Sequence, residues 1–91
     1  MTYEVKLSDK VKSDLARLAK SEPKAFVKAG KLLKELETHP KTGTGHPEQL
    51  KGDRAGQWSR QITKKHRMIY EIFDREVCVD VLSAYGHYDD K

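Results

Sequence analysis

The sequence predicts an α+β fold: an N-terminal strand, a two-helix pair and then a three-strand antiparallel meander. Three observations predict it. Apolar residues recur at helical spacing between residues 11 and 36, and they fall into short strand-like runs from residue 57 onward. Between them, Lys41-Thr42-Gly43-Thr44-Gly45-His46-Pro47 is rich in turn formers and interrupts both periods. Ninety-one residues bury one small core, so residues 1–91 are expected to form a single domain. The helix pair then covers one face of a mainly antiparallel sheet and leaves the other open.

Tyr3-Glu4-Val5-Lys6-Leu7 alternates apolar and charged side chains, the pattern of a half-buried strand. Ser8-Asp9 supplies an N-cap oxygen, and Val11, Leu15, Leu18 and Ala19 carry a helix through Lys20. Ser21-Glu22-Pro23 restarts the count with a second cap and a proline in the first turn. Phe26, Ala29, Leu32, Leu33 and Leu36 form the next stripe, which ends before Pro40. Residues 41–47 form a loop that also carries Glu48; no Gly-Lys-Ser/Thr follows its glycines, so it is no phosphate cradle. Gln57–Thr63, His66–Phe73 and Val77–Tyr85 are the three meander strands, joined by turns at Lys64-Lys65 and Asp74-Arg75-Glu76.

The net charge of +4 is unevenly spread. Residues 41–67 carry Lys41, Lys51, Arg54, Arg60, Lys64, Lys65 and Arg67 against Glu48 and Asp53. A polyanion is the natural ligand of such a region, because neutralising phosphates releases condensed counterions. No window approaches the roughly 18 apolar residues of a membrane span, and residues 1–25 lack a signal core, so a cytoplasmic address without membrane contact is expected. The one cysteine, Cys78, sits among Val77, Val79 and Val81 and reads as a packed thiol. His39, His46 and His66 lack metal-ligand spacing, so neither a metal nor a cofactor is expected.

A period of two along His66–Phe73 sets Met68, Tyr70 and Ile72 under the helices and Arg67, Ile69, Glu71 and Phe73 on the open face. There Arg67 can meet a phosphate bidentately, or it can pair with Glu71 or Glu48. Gly86 lets the chain turn so that His87 reaches the same face. A carboxylate such as Glu48, an arginine and a histidine are complementary in phosphodiester chemistry, as base, cation and acid. Trp58 suits the core better than base stacking, since so small a domain has few large side chains to spare.

Taken in order, Gly45-His46-Pro47-Glu48-Gln49-Leu50-Lys51, Gly56-Gln57-Trp58-Ser59-Arg60-Gln61-Ile62, His66-Arg67-Met68-Ile69-Tyr70 and His87-Tyr88 resemble the YoeB/Txe family of bacterial toxins, within the RelE-like superfamily. The resemblance implies a small RelE-like, microbial-RNase-like domain that cuts mRNA in the ribosomal A site as a ribosome-dependent endoribonuclease. It also implies 70S ribosomes and a YefM-like antitoxin as partners, and a possible homodimer. By position, Glu48 matches the general base, Arg67 the transition-state cation, His87 the general acid and Tyr88 the tyrosine beside it. Lys51 and Arg60 match basic residues near the phosphate, and Lys64 and Lys65 extend the expected RNA-binding surface. Tyr85 stands where many relatives carry arginine or lysine, which exchanges one phosphate contact for a ring able to stack. Asp89-Asp90-Lys91 adds two carboxylates near the acid. The rival readings are a non-catalytic nucleic-acid-binding or co-repressor module on the same basic face, and a dimerisation domain using Ile69 and Phe73.

Overall fold

Ser8 starts the first helix in the way its position predicts. In the computed structural model, which describes residues 2–86, its extended backbone (φ −69°, ψ 163°) lets Oγ accept the Val11 N–H at 3.1 Å and so open α1, Asp9–Ser21. Val11, Asp14 and Leu18 form the buried stripe of α1. Proline at the first position begins α2, Pro23–Leu36, whose buried stripe is Ala25, Ala29, Leu32 and Leu36. The expected second cap is absent. Ser21 ends α1 with its hydroxyl donating to the Arg17 carbonyl, and Glu22 occupies the N-cap position without a side-chain bond to the helix. The Glu22 carboxylate is committed instead to His66 and Lys65.

The sheet has five strands, β1 (Glu4–Leu7), β2 (Glu48–Gln49), β3 (Gln57–Gln61), β4 (Arg67–Phe73) and β5 (Cys78–Ser83), in the order β1-β5-β4-β3-β2. β3, β4 and β5 are the expected meander, each shorter than the sequence pattern. β1 pairs parallel to β5 at one edge, and the helix pair and the loop after it lead the chain to the opposite edge. β2 is an addition: Glu48, read as a loop residue, lies in a two-residue strand antiparallel to β3. Two residues after a proline display no period, so nothing in the sequence separates them from loop. Trp58, Arg60, Met68, Tyr70, Val79 and Val81 point to the helices; Met68, Tyr70, Val79 and Val81 are fully buried with Leu18, Leu32 and Leu36. Trp58 packs half-buried against this core, and Cys78 is a buried free thiol, both as expected.

Arg60 is the exception in that core. Its side chain is 0 % exposed, and all five guanidinium N–H groups are used. Nε donates to the Tyr70 hydroxyl at 3.0 Å, Nη1 to Glu35 at 2.8 Å and to the Thr44 carbonyl at 3.4 Å, and Nη2 to the carbonyls of Thr42 (2.6 Å) and His39. The Tyr70 hydroxyl passes its own proton to the Pro40 carbonyl at 2.9 Å. Residues 39–44 are therefore folded around one cation. Glu35 closes the ring, accepting the Thr44 hydroxyl at 2.7 Å and the Thr44 N–H at 2.9 Å, and these bonds hold its carboxyl below the usual range, aided by Arg60. The loop then meets β3 at Gly45, whose carbonyl accepts the Gln61 N–H at 2.7 Å. A Cβ here would lie 2.8 Å from the Gln61 carbonyl oxygen, and the φ of +87° suits glycine.

Removing this cation leaves three backbone carbonyls without their side-chain donor and Glu35 without its counter-ion. Arg60→Ala is expected to lower stability by about 3–5 kcal/mol, read as a shift in the urea unfolding midpoint at unchanged slope. Glu35 adds a pH dependence. A carboxyl held low in the fold contributes stability that is fully present above its ordinary value of 4.5 and is lost as pH falls through the lower folded value. Urea unfolding measured from pH 6 down to about 3 should show Glu35→Gln with a flatter acid limb than the parent chain; parallel limbs would refute the assignment.

Candidate nucleic-acid site

The ordered loop delivers Pro47 and Glu48 to the outer edge of the sheet, on the face away from the helices. In the ladder Glu48 is opposite Ser59, Ser59 is opposite Ile69, and Arg67 is opposite Gln61. Glu48 and Arg67 thus start from strands on either side of β3 and reach toward each other above it. Their closest atoms, Oε1 and Nη1, are 3.8 Å apart, and the side chains are 55 % and 24 % exposed. At that distance the pair attracts without a hydrogen bond. Ser59 is the residue between them; its small side chain leaves room for the two long ones, and its buried hydroxyl has no hydrogen-bond partner among the described residues. Ile69 beside it is buried, giving the polar pair an apolar floor.

Lys51 is exposed just beyond β2, before a 3-10 turn at Gly52–Arg54. Arg54 donates to the Gln57 side chain at 3.2 Å. This edge therefore presents Glu48 among several cations on an open surface, with Asp53 in the adjoining turn, an arrangement suited to binding a phosphodiester and to taking a proton from a neighbouring hydroxyl.

Several expected residues are not part of that cluster. Arg60 is the clearest correction: on β3 its parity points it at the helices, where complete burial and five internal acceptors remove it from any phosphate. Lys64 is exposed in the β3–β4 turn, while Lys65 reaches to the helix side and pairs with Glu22 at 3.5 Å. Tyr85 is half-buried, with the Arg17 guanidinium 4.1 Å from its ring centre and His66 4.4 Å away, so its expected base-stacking face is already occupied. His87, Tyr88 and Asp89-Asp90-Lys91 lie outside the described residues. Among the described residues no group of three or more His, Cys, Asp or Glu side chains is placed to hold a metal ion, and no helix is long and apolar enough to cross a membrane.

His66, Glu22 and Ser59 were missed in the sequence. His66 is 3 % exposed; its Nε2 lies 2.7 Å from Glu22 Oε2, and its Nδ1 accepts the Gly86 N–H at 2.8 Å. The bond from His66 holds the Glu22 carboxyl below its usual range, helped by Lys65. Carrying the period of two back from Met68 would have put His66 on the helix side.

The sequence model of the YoeB-like toxins of bacterial type II toxin-antitoxin systems matches residues 7–88. The chain belongs to that family. Among YoeB toxins it is 35 % identical to one from Streptomyces coelicolor over 75 residues, 82 % of this chain and 87 % of the relative. The YoeB/ParE toxin from Agrobacterium tumefaciens has the same fold, with a TM-score of 0.86 at 29 % identity over 93 % of this chain and 99 % of that one. A YoeB toxin from Staphylococcus aureus, solved as a dimer, gives a TM-score of 0.82 at 26 % identity over 97 % of this chain and 100 % of that one. The same organism's YoeB, solved in a heterotetrameric complex with its antitoxin YefM, gives 0.79 at 27 % identity over the same shares. The α+β architecture expected from the sequence is thus the YoeB fold.

A long, solvent-exposed ion pair contributes little to folding. Glu48→Gln is expected to change unfolding free energy by less than about 1 kcal/mol, measured by thermal or urea unfolding; a larger loss would make Glu48 a structural residue.

Proposed function

We propose that this YoeB-like toxin is a ribosome-dependent mRNA endoribonuclease that works by metal-independent attack of the ribose 2′-hydroxyl. The observation that carries this reading is the exposed Glu48–Arg67 pair, 3.8 Å apart on the open face. In such a cleavage the attacking oxygen and the phosphorus belong to one nucleotide and become bonded in the transition state. A base and a cation serving them must therefore sit side by side. Glu48 takes the 2′-hydroxyl proton, the oxygen attacks phosphorus, and Arg67, with Lys51 nearby, stabilises charge on the non-bridging oxygens. His87 protonates the departing 5′-oxygen, with Tyr88 beside it, and a 2′,3′-cyclic phosphate remains. A carboxylate is a weak base at neutral pH, so much of the rate comes from the ribosome holding mRNA in its A site with the 2′-hydroxyl in line.

The chain's own backbone favours this assembly: the Arg67 N–H donates to the Gly86 carbonyl at 2.9 Å, so the residue before His87 lies against the residue that supplies the cation. The S. aureus complexes support a YefM-like antitoxin as partner and a homodimer as one assembly state. An acidic or amphipathic antitoxin segment suits the basic open face, because the cations that attract RNA attract carboxylates. Action on ribosomes in the cytoplasm follows from the same reading.

The test is an end-mapped digest of mRNA on 70S ribosomes in EDTA. Products should carry 2′,3′-cyclic phosphate and 5′-hydroxyl ends; 5′-phosphate ends would overturn the mechanism. Glu48→Gln and Arg67→Ala should each slow single-turnover cleavage by about 10²–10³-fold, with a much smaller change in ribosome affinity. If Glu48→Gln binds RNA more tightly and the parent chain cuts nothing, the protein is a non-catalytic nucleic-acid module.

A further inference from the structure

The proposed chemistry leaves one buried polar assembly without a task. It lies under Arg67, on the helix side of the sheet, and is centred on His66. The β4–β5 ladder ends at Ser83. Beyond it, Ala84–Gly86 are held by side chains: the Ala84 N–H by Asp14 Oδ2 at 2.9 Å, the Tyr85 ring between Arg17 and His66, and the Gly86 N–H by His66 Nδ1 at 2.8 Å.

We infer that His66 is a positioning residue: its neutral imidazole grips Gly86 and so fixes the backbone of the residue that precedes His87. The inference rests on the endoribonuclease reading above. The hydrogen bonds fix the tautomer. A backbone N–H can only donate, so Nδ1 must offer a lone pair, and the ring proton sits on Nε2, donating to the Glu22 carboxylate at 2.7 Å. Glu22 orients the ring, and the ring orients Gly86. Arg67, the next residue, takes the Gly86 carbonyl with its own N–H at 2.9 Å. Consecutive residues, His66 just before β4 and Arg67 at its start, therefore hold both polar groups of Gly86, whose φ of +80° makes the turn.

An imidazole is a poor choice for filling space here. Burying it with a carboxylate partner carries a desolvation cost that an apolar side chain of similar size would avoid. What it supplies is a directional acceptor for one amide. The same short stretch, His66-Arg67, thereby carries the cation on one face of the sheet and the grip on Gly86 on the other. Misplacing a reacting group by about 1 Å can cost on the order of 10²-fold in rate.

Two full-length variants separate this role from packing. His66→Asn keeps an acceptor oxygen where Nδ1 sits, whereas His66→Gln carries its carboxamide toward Glu22 and has no group at the Nδ1 position. On ribosome-bound mRNA, His66→Gln should lose at least about tenfold in single-turnover rate with ribosome affinity nearly unchanged, and His66→Asn should recover most of that loss. Independently of activity, the parent protein should show a through-hydrogen-bond 15N–15N coupling between the Gly86 amide and His66 Nδ1. The inference is overturned if the coupling is absent, if His66→Gln cuts as fast as the parent, or if both variants lose rate only in proportion to their unfolded fraction. A parent chain that cuts no mRNA defeats the functional reading instead, and the coupling alone then decides whether the clamp exists.

Discussion

One buried guanidinium organises this protein. Arg60 lies on β3 under the helices with five donors; Tyr70 and Glu35 accept two of them, and the chain between α2 and β2 brings acceptors to the other three. A segment with two glycines and no regular structure would otherwise be mobile. Wrapped around the cation, and locked by Glu35 and Thr44, it becomes a fixed strap that ends at Glu48. The cost of burying the charge is offset only because every N–H is met; a partly satisfied guanidinium in that position would destabilise the core.

The open face depends on this arrangement at one remove. Glu48 has two residues of strand to hold it, too few to fix a register alone, and the pairing of Gly45 with Gln61 just before it anchors the approach. Arg67 is held differently, at the start of the longest strand, between the turn at residues 62–65 and Gly86. Two side chains far apart in sequence thus meet from two rigid supports, and the small Ser59 lets them do so. The core supplies precision, and the open face supplies only the two charged ends.

Much of this was legible in the sequence. Ser8 at the first cap, the proline opening α2, the parity that buries Met68 and Tyr70, and the meander all follow from local rules, because each is decided within a few residues. Glu48 and Arg67 were found from residue type and company, and the fold brings them together. The failures share a cause. Arg60, Glu22, His66 and Tyr85 are polar or aromatic residues whose partners lie between 10 and 68 positions away in the chain, and no local pattern announces a long-range polar contact. Position on β3 would have placed Arg60 beside Trp58, facing the helices; the family resemblance placed it with the phosphate contacts. β2 was invisible for the opposite reason, being too short to have a period.

The parallel pairing of β1 with β5 has a consequence in time. Val5 is opposite Val79, 74 residues further along the chain, and every connection between them must be synthesised before that pair can close. Long-range parallel pairing is slow to form, because loop-closure entropy is lost before the contacts are gained. β5, the strand that joins β1 to β4, is made after the helices and after β2, β3 and β4, so β1 must wait for it. The sheet therefore closes at its parallel edge only after its antiparallel strands have been made.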